Sequence, residues 1–152
     1  MGNIFNDDFI EFIQVLNHNE VEYILVGGFS VILHGHSRVT GDMDIWVSRS
    51  ESNYSRIVNA FKEYGMSLAD MTLENFIHHP TWDVYKFGRK PVAIDIMVCI
   101  KGMDFTECYN QSEIKNVDGL NVRTLHFNDL IKAKKASGRF KDLDDIDQLL
   151  KL

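Results

Sequence analysis

Three aspartates carry the first chemical signal in this chain. Asp42 and Asp44 flank Met43 directly before the apolar run Ile45-Trp46-Val47. Asp95 interrupts a second apolar run, Val92 to Val98. Side chains of a strand alternate between its faces, so Asp42 and Asp44 point to one side and Met43 to the other. Two neighbouring carboxylates repel, and both stay ionised cheaply only beside a cation. Burying a carboxylate without a partner is costly, so Asp95 also needs compensation. A lysine or arginine would supply it, and so would a metal ion shared with Asp42 and Asp44. Hard divalent cations take oxygen ligands of this kind together with substrate phosphates. Three carboxylates on adjacent strands have the donor set to hold two ions about 4 Å apart, as phosphoryl chemistry uses them.

A second signal precedes the aspartates. Gly27-Gly28 closes the apolar run Tyr23 to Val26 and opens the segment Phe29 to Leu33, which reads as a helix. Glycines lacking Cβ atoms let a ligand approach the backbone, and a helix N-terminus favours an anion. Ser30 adds a hydroxyl in the first turn. Arg38 and Lys134 are cations that suit phosphate. Phe127, Leu130, Ile131 and Lys134 recur at helical spacing. Lys134 therefore ends an inward stripe, either as a snorkelling lysine or as one reaching a triphosphate. Lys135 and Arg139 read as solvated. His34 and His36, and the cluster His78-His79-Pro80, read as solvated or hydrogen-bonded histidines. Trp46 reads as core; Trp82 reads as core or, less simply, as a stacking platform for a base.

The elements that must position these groups follow from periodicity. A first helix begins after Asn6 or Asp7, with Phe9, Phe12, Ile13 and Leu16 on one face. Strands are expected at Val21–Val26, Asp42–Val47, Trp82–Phe87, Val92–Ile100 and Leu120–Leu125. The third and fourth are joined by the turn Gly88-Arg89-Lys90-Pro91. A helix spans Ser52–Tyr64 and ends at Gly65. At the end, Asn128 caps one helix, Gly138 stops it, and Asp142 begins another. The order α-β-α-β-α-β-β-β-α-α implies an α+β mixed sheet with helices packed on it. One domain is expected over 1–152, with a catalytic sheet at about 20–125 and two C-terminal helices at about 126–152.

Composition narrows the class. The 152 residues carry a net charge of −6 and are 45% hydrophobic and 25% charged, as in soluble globular chains. That charge argues against broad sequestration of nucleic acid. It is uneven: residues 126–141 hold five basic residues and one acid, leaving eleven basic and twenty-one acidic residues elsewhere. No apolar run reaches the roughly 18 residues of a membrane span, so no membrane partner is expected. The start has no basic n-region, and Asn6 stands where N-myristoylation of Met1-Gly2 wants Ser or Thr. Cys99 and Cys108 lack CxxC spacing, which fits reduced thiols and a cytoplasmic location.

The pattern Val26-Gly27-Gly28, a thirteen-residue spacer, Asp42-Met43-Asp44-Ile45 and a later Asp95 resembles the nucleotidyltransferase superfamily with the DNA polymerase β-like fold. The stretch His34-Gly35-His36-Ser37-Arg38-Val39-Thr40 is similar to that of its small stand-alone members, some of which belong to bacterial toxin–antitoxin pairs. The tail from Lys134 to Leu143 is similar to theirs as well. The resemblance covers about Glu20 to the end. It implies transfer of a nucleoside monophosphate from an NTP to an acceptor hydroxyl, with release of pyrophosphate. Asp42 and Asp44 would bind two Mg²⁺ ions, and Asp95 the ion that activates the acceptor oxygen. Gly27, Gly28 and Ser30 would cradle the phosphates. Many members have Ser directly after the first Gly, where this chain has Gly28; Ser30 or backbone amides would take over that contact. The acceptor is a small molecule, a protein side chain or a tRNA end, and a protein partner or homodimer would complete its site. Two competing readings are a nucleotide-binding or toxin–antitoxin partner module without turnover, and a structural domain whose aspartates pair with Lys134 and Arg38.

Overall fold

A computed structural model describes residues 4–152, so the reading of Met1-Gly2 lies outside the described residues. Its centre is a six-stranded mixed sheet of β1 (Tyr23–Val26), β2 (Met43–Val47), β3 (Val84–Arg89), β4 (Val92–Met97), β5 (Glu113–Val117) and β6 (Leu120–Thr124), in the order β3-β4-β2-β1-β6-β5. β2 pairs with β4 and β1 with β6 in parallel; the other three pairings are antiparallel. The helices are α1 (Asp7–His18), α2 (Gly27–Leu33), α3 (Glu51–Tyr64), α4 (Leu73–His78), α5 (Phe105–Gln111), α6 (Phe127–Ser137) and α7 (Phe140–Leu150).

The central strands are apolar on both faces because helices cover both. Leu25, Met43, Ile45, Ile94 and Ile96 join Phe12, Phe61 and Phe76 from α1, α3 and α4 in one cluster. Ile24, Val26 and Trp46, the alternate residues, join Val31, Cys108, Leu130 and Leu149 from α2, α5, α6 and α7 in the other. Side chains that oxygen-cap the helices fix their entries. Asn6, Ser50, Thr72 and Asp104 each accept the N–H three residues on.

The expected elements are all present, with three additions and shifted starts for the two C-terminal helices. α4, α5 and β5 have only five to seven residues, and α4 and α5 each bury one side chain, Phe76 and Cys108. Segments that bury so little leave no periodic apolar signal. The cap of α6 is His126, whose ring accepts the Asn128 N–H, so the helix begins at Phe127 and Asn128 lies inside its first turn. Gly138 ends α6 in the left-handed conformation (φ 65°), and α7 starts at Phe140, two residues before Asp142.

Candidate active site

The sheet register brings the aspartates together. β2 and β4 run parallel with Asp44 opposite Asp95, and β3 adds Lys86 opposite Asp95. On the other side Val26, the last residue of β1, lies opposite Asp44. One row across four strands therefore reads Lys86, Asp95, Asp44, Val26, and the chain turns into Gly27 at its end. This is why the glycines and the aspartates meet, although 13 residues of spacer separate them in sequence.

The row opens into a cleft of about 540 Å³. Asp42, Asp44 and Asp95 line it, together with Gly27 and Gly28 and with six cations: Arg38, Lys86, Lys90, Lys134, Arg139 and Lys141. Burial, with the Asp95 and Asp42 carboxylates beside it, pushes the Asp44 carboxyl up to about 7, while Lys134 pulls it down. Asp44 and Asp95 are close enough to share a proton. Lys86, on the edge strand, sets its Nζ 3.1 Å from Asp95 Oδ2, and that bond raises the lysine's pKa.

Gly27 has φ +68°, and a Cβ there would run into the Asp44 carboxylate. The residue is thus required twice, by conformation and by space. A Cβ on Gly28 would run into the Thr40 hydroxyl and approach Arg38 Nη2 at 3.3 Å. Thr40, from the spacer, holds the hydroxyl that stands over the glycine turn.

Ser30 does not serve there. It is fully buried, with its Oγ 2.6 Å from Thr124 Oγ1, and Thr124 in turn donates to the Leu25 carbonyl. The residue sits on the α2 face turned to the sheet, so the expected phosphate contact from Ser30 is corrected to a structural link between α2 and β6. The cations are deployed differently from the salt-bridged alternative too. Arg38 closes on Asp145, with Nε 2.9 Å from Oδ1 and Nη2 donating to Oδ2 at 3.1 Å. Lys134 Nζ lies 3.2 Å from Asp142 Oδ1 and 3.1 Å from Asp145 Oδ2. Neither cation pairs with Asp42, Asp44 or Asp95. Arg139, expected in solvent, bonds Asp142 through Nε at 2.7 Å and lines the cleft, although its side chain remains 58% exposed.

Sequence reasoning also passed over Lys86, Lys90, Lys141 and Thr40. Lys86 was hidden by the turn: the expected four-residue turn sets Val84 opposite Asp95, whereas the observed two-residue turn, with Arg89 opposite Val92, sets Lys86 there. His34 Nε2 donates to the Leu125 carbonyl, 2.6 Å away, and burial lowers its pKa, so it is a neutral structural histidine. Trp46 is core, 1% exposed. Trp82 stacks on His79 with ring centroids 3.9 Å apart and does not line the cleft.

Donor chemistry in the cleft fits a divalent cation: one carboxyl raised to about 7 by burial and its neighbouring carboxylates, and a second covered only by a surface lysine. Among the described residues, His36, Asp144 and Asp145 also bring ligand atoms within 4.8 Å of one another. Asp145 there is already engaged by Arg38 and Lys134, so a cation would have to displace them.

Comparison with known proteins agrees with this geometry. The chain belongs to the family described as "Nucleotidyltransferase of unknown function (DUF6036)", whose model matches residues 7–150. No curated protein matches the sequence. Among solved structures, TM1012 from Thermotoga maritima, described as a "putative nucleotidyltransferase", aligns with TM-score 0.60 and 15% identity over 94% of this chain and 90% of that one. The lincosamide antibiotic adenylyltransferase LnuA, bound to lincomycin, aligns with TM-score 0.62 and 15% identity over 97% of this chain and 98% of that one. An antigenic nucleotidyltransferase-like protein from Paracoccidioides brasiliensis aligns with TM-score 0.55 and 14% identity over 97% of this chain and 78% of that one. At such identities the likeness shows the fold: an α+β nucleotidyltransferase fold.

Proposed function

We propose that this member of the nucleotidyltransferase family moves a nucleoside monophosphate from a Mg²⁺-bound NTP to an acceptor hydroxyl, releasing pyrophosphate. The observation that carries the reading is the in-register pair Asp44 and Asp95 beside Gly27-Gly28, in a cleft whose remaining wall is cationic. Asp42, Asp44 and Asp95 would hold two Mg²⁺ ions, which would supply charge neutralisation at the α-phosphate and a more acidic acceptor hydroxyl. The chain's own groups do the rest. The Gly27-Gly28 turn leaves room for phosphate oxygens against the backbone, and Arg38, Lys134 and Arg139 balance their charge. Asp95 would take the acceptor proton in this reading, and Lys86 pairs with its carboxylate in the absence of metal.

The acceptor docks, in this reading, beside the cleft. A cavity of about 800 Å³ shares the rim Arg38 to Gly41 and Lys90 with it, and is floored by Phe5, Phe9, Phe29 and Ile32. A small molecule with an apolar body suits that chemistry, and LnuA, a similar fold, is an adenylyltransferase of lincosamide antibiotics with lincomycin bound. Protein or tRNA acceptors, a toxin–antitoxin partner and a homodimer are the alternatives. No described helix is long and apolar enough to cross a membrane, and the thiols fit a cytoplasmic enzyme.

The test is calorimetric titration of each Mg²⁺–NTP into the wild type and the Asp42→Ala/Asp44→Ala variant, with pyrophosphate release followed alongside. Metal-dependent binding that the variant loses supports the site. Binding without release, across an acceptor panel of hydroxyl compounds, identifies a nucleotide-binding module instead. A folded wild type that binds no NTP refutes the assignment.

A further inference from the structure

We infer that Asp142 and Asp145, on the buried face of α7, are positioning residues that aim Lys134, Arg38 and Arg139 at a polyphosphate in the cleft. The inference rests on the proposed nucleotide site and goes beyond it. The two carboxylates stand one helical turn apart and are 0% and 1% exposed. They form an unbroken alternation of charge: Arg38, Asp145, Lys134, Asp142, Arg139. Its members come from the spacer, from α6 and from the α6–α7 junction, so α7 ties three separate parts of the chain to one wall. All three cations line the cleft.

Stability alone does not explain this arrangement. Buried ion pairs repay little more than their desolvation, and apolar residues of similar volume are often as stable or more so. Lys134 Nζ donates to Asp142 Oδ1 and lies 3.1 Å from Asp145 Oδ2, so α7 engages no more than two of its three N–H groups. The same lysine lines the cleft together with Asp42, Asp44 and Asp95, so α7 presents its ammonium to the space in front of the aspartate row. Burial works against ionised Asp142, yet hydrogen bonds from Arg139, Ser137 and Lys134 hold its carboxyl well below the usual range. Asp142 is therefore charged throughout the physiological pH range.

Positioning and plain electrostatics predict opposite signs. A carboxylate near a polyphosphate repels it, so Asp145→Asn should tighten binding if charge alone matters. Loss of the anchor should weaken it instead. Calorimetry with inorganic tripolyphosphate, and separately with Mg²⁺–ATP, on the full chain reads the sign. Asp145→Asn and Lys134→Met are each expected to weaken tripolyphosphate at least about tenfold, and the double variant by less than the product of the two losses, because one acts through the other. Asp145→Glu should recover part of the affinity. Thermal unfolding of each variant confirms that the comparison is between folded proteins.

Unchanged or tighter tripolyphosphate binding by folded Asp145→Asn overturns the inference, as do losses that multiply in the double variant. A wild type that binds neither tripolyphosphate nor Mg²⁺–ATP overturns this inference and the nucleotide site together. A wild type that binds Mg²⁺–ATP, with Asp145→Asn unaffected, removes the positioning role alone.

Discussion

Replacing Asp44 by Asn should make the metal-free protein more stable, and more so as pH rises. An aspartate whose carboxyl is raised from 3.8 to about 7 resists ionisation over about three pH units. At 1.36 kcal/mol per unit that amounts to about 4 kcal/mol above pH 7. The sign follows from proton counts. Between about pH 4 and 7 the native state keeps a proton that the unfolded chain has lost, so stability falls as pH rises through that window. Asn mimics the protonated carboxyl and lacks this loss. Its advantage over the wild type should grow by about 2.5 kcal/mol from pH 5 to pH 8. For a chain of this size that is about 5–10 °C in Tm. The assay is thermal unfolding of both proteins at pH 5 and pH 8 with EDTA, then with Mg²⁺. Added Mg²⁺ should stabilise the wild type at pH 8 and leave Asp44→Asn nearly unmoved. An Asn variant no more stable than wild type at pH 8, or an equal gap at the two pH values, would refute the reasoning. It would mean that the neighbouring cations already neutralise the aspartate row.

Other perturbations follow from the same geometry. Gly27→Ala forces a side chain into positive φ and onto the Asp44 carboxylate; chemical denaturation should report a loss of about 1–3 kcal/mol and calorimetry a loss of Mg²⁺–NTP binding. Gly28→Ser restores a residue common in the superfamily but collides with Thr40, so it should weaken NTP binding, and Gly28→Ser/Thr40→Ala should recover it. Ser30→Ala removes one buried hydroxyl bond and should cost about 1 kcal/mol in urea unfolding while NTP affinity stays unchanged. Iodoacetamide at pH 8 should alkylate exposed Cys99 and spare Cys108, whose thiol burial pushes up to about 11; mass spectrometry of the peptides separates the two.

The sequence by itself determined the elements that bury a periodic apolar face and the chemistry of their ends. Phe9, Phe12, Ile13 and Leu16 mark α1. Alternation through Asp42-Met43-Asp44 sets both acids on one face of β2, and Gly27-Gly28 marks the strand-to-helix turn. These depend on residues within a few positions of each other, so they are legible in one dimension. α4, α5 and β5 were not, because each buries too little for its pattern to stand out from a loop. Which groups meet depends on strand pairings between distant segments. The parallel register of β2 against β4 sets Asp44 beside Asp95, and an antiparallel register of β3 against β4 gives Asp95 its lysine. Ser30 lost its expected phosphate contact because a short helix turns only some of its residues to the cleft, and packing against β6 took Ser30, while Thr40, from the spacer, stands over Gly28 instead. Likewise Lys134 could be read as inward-facing from its stripe, but its two carboxylate partners lie on the next helix. Their approach is fixed by the α6–α7 turn at Gly138 rather than by local sequence pattern.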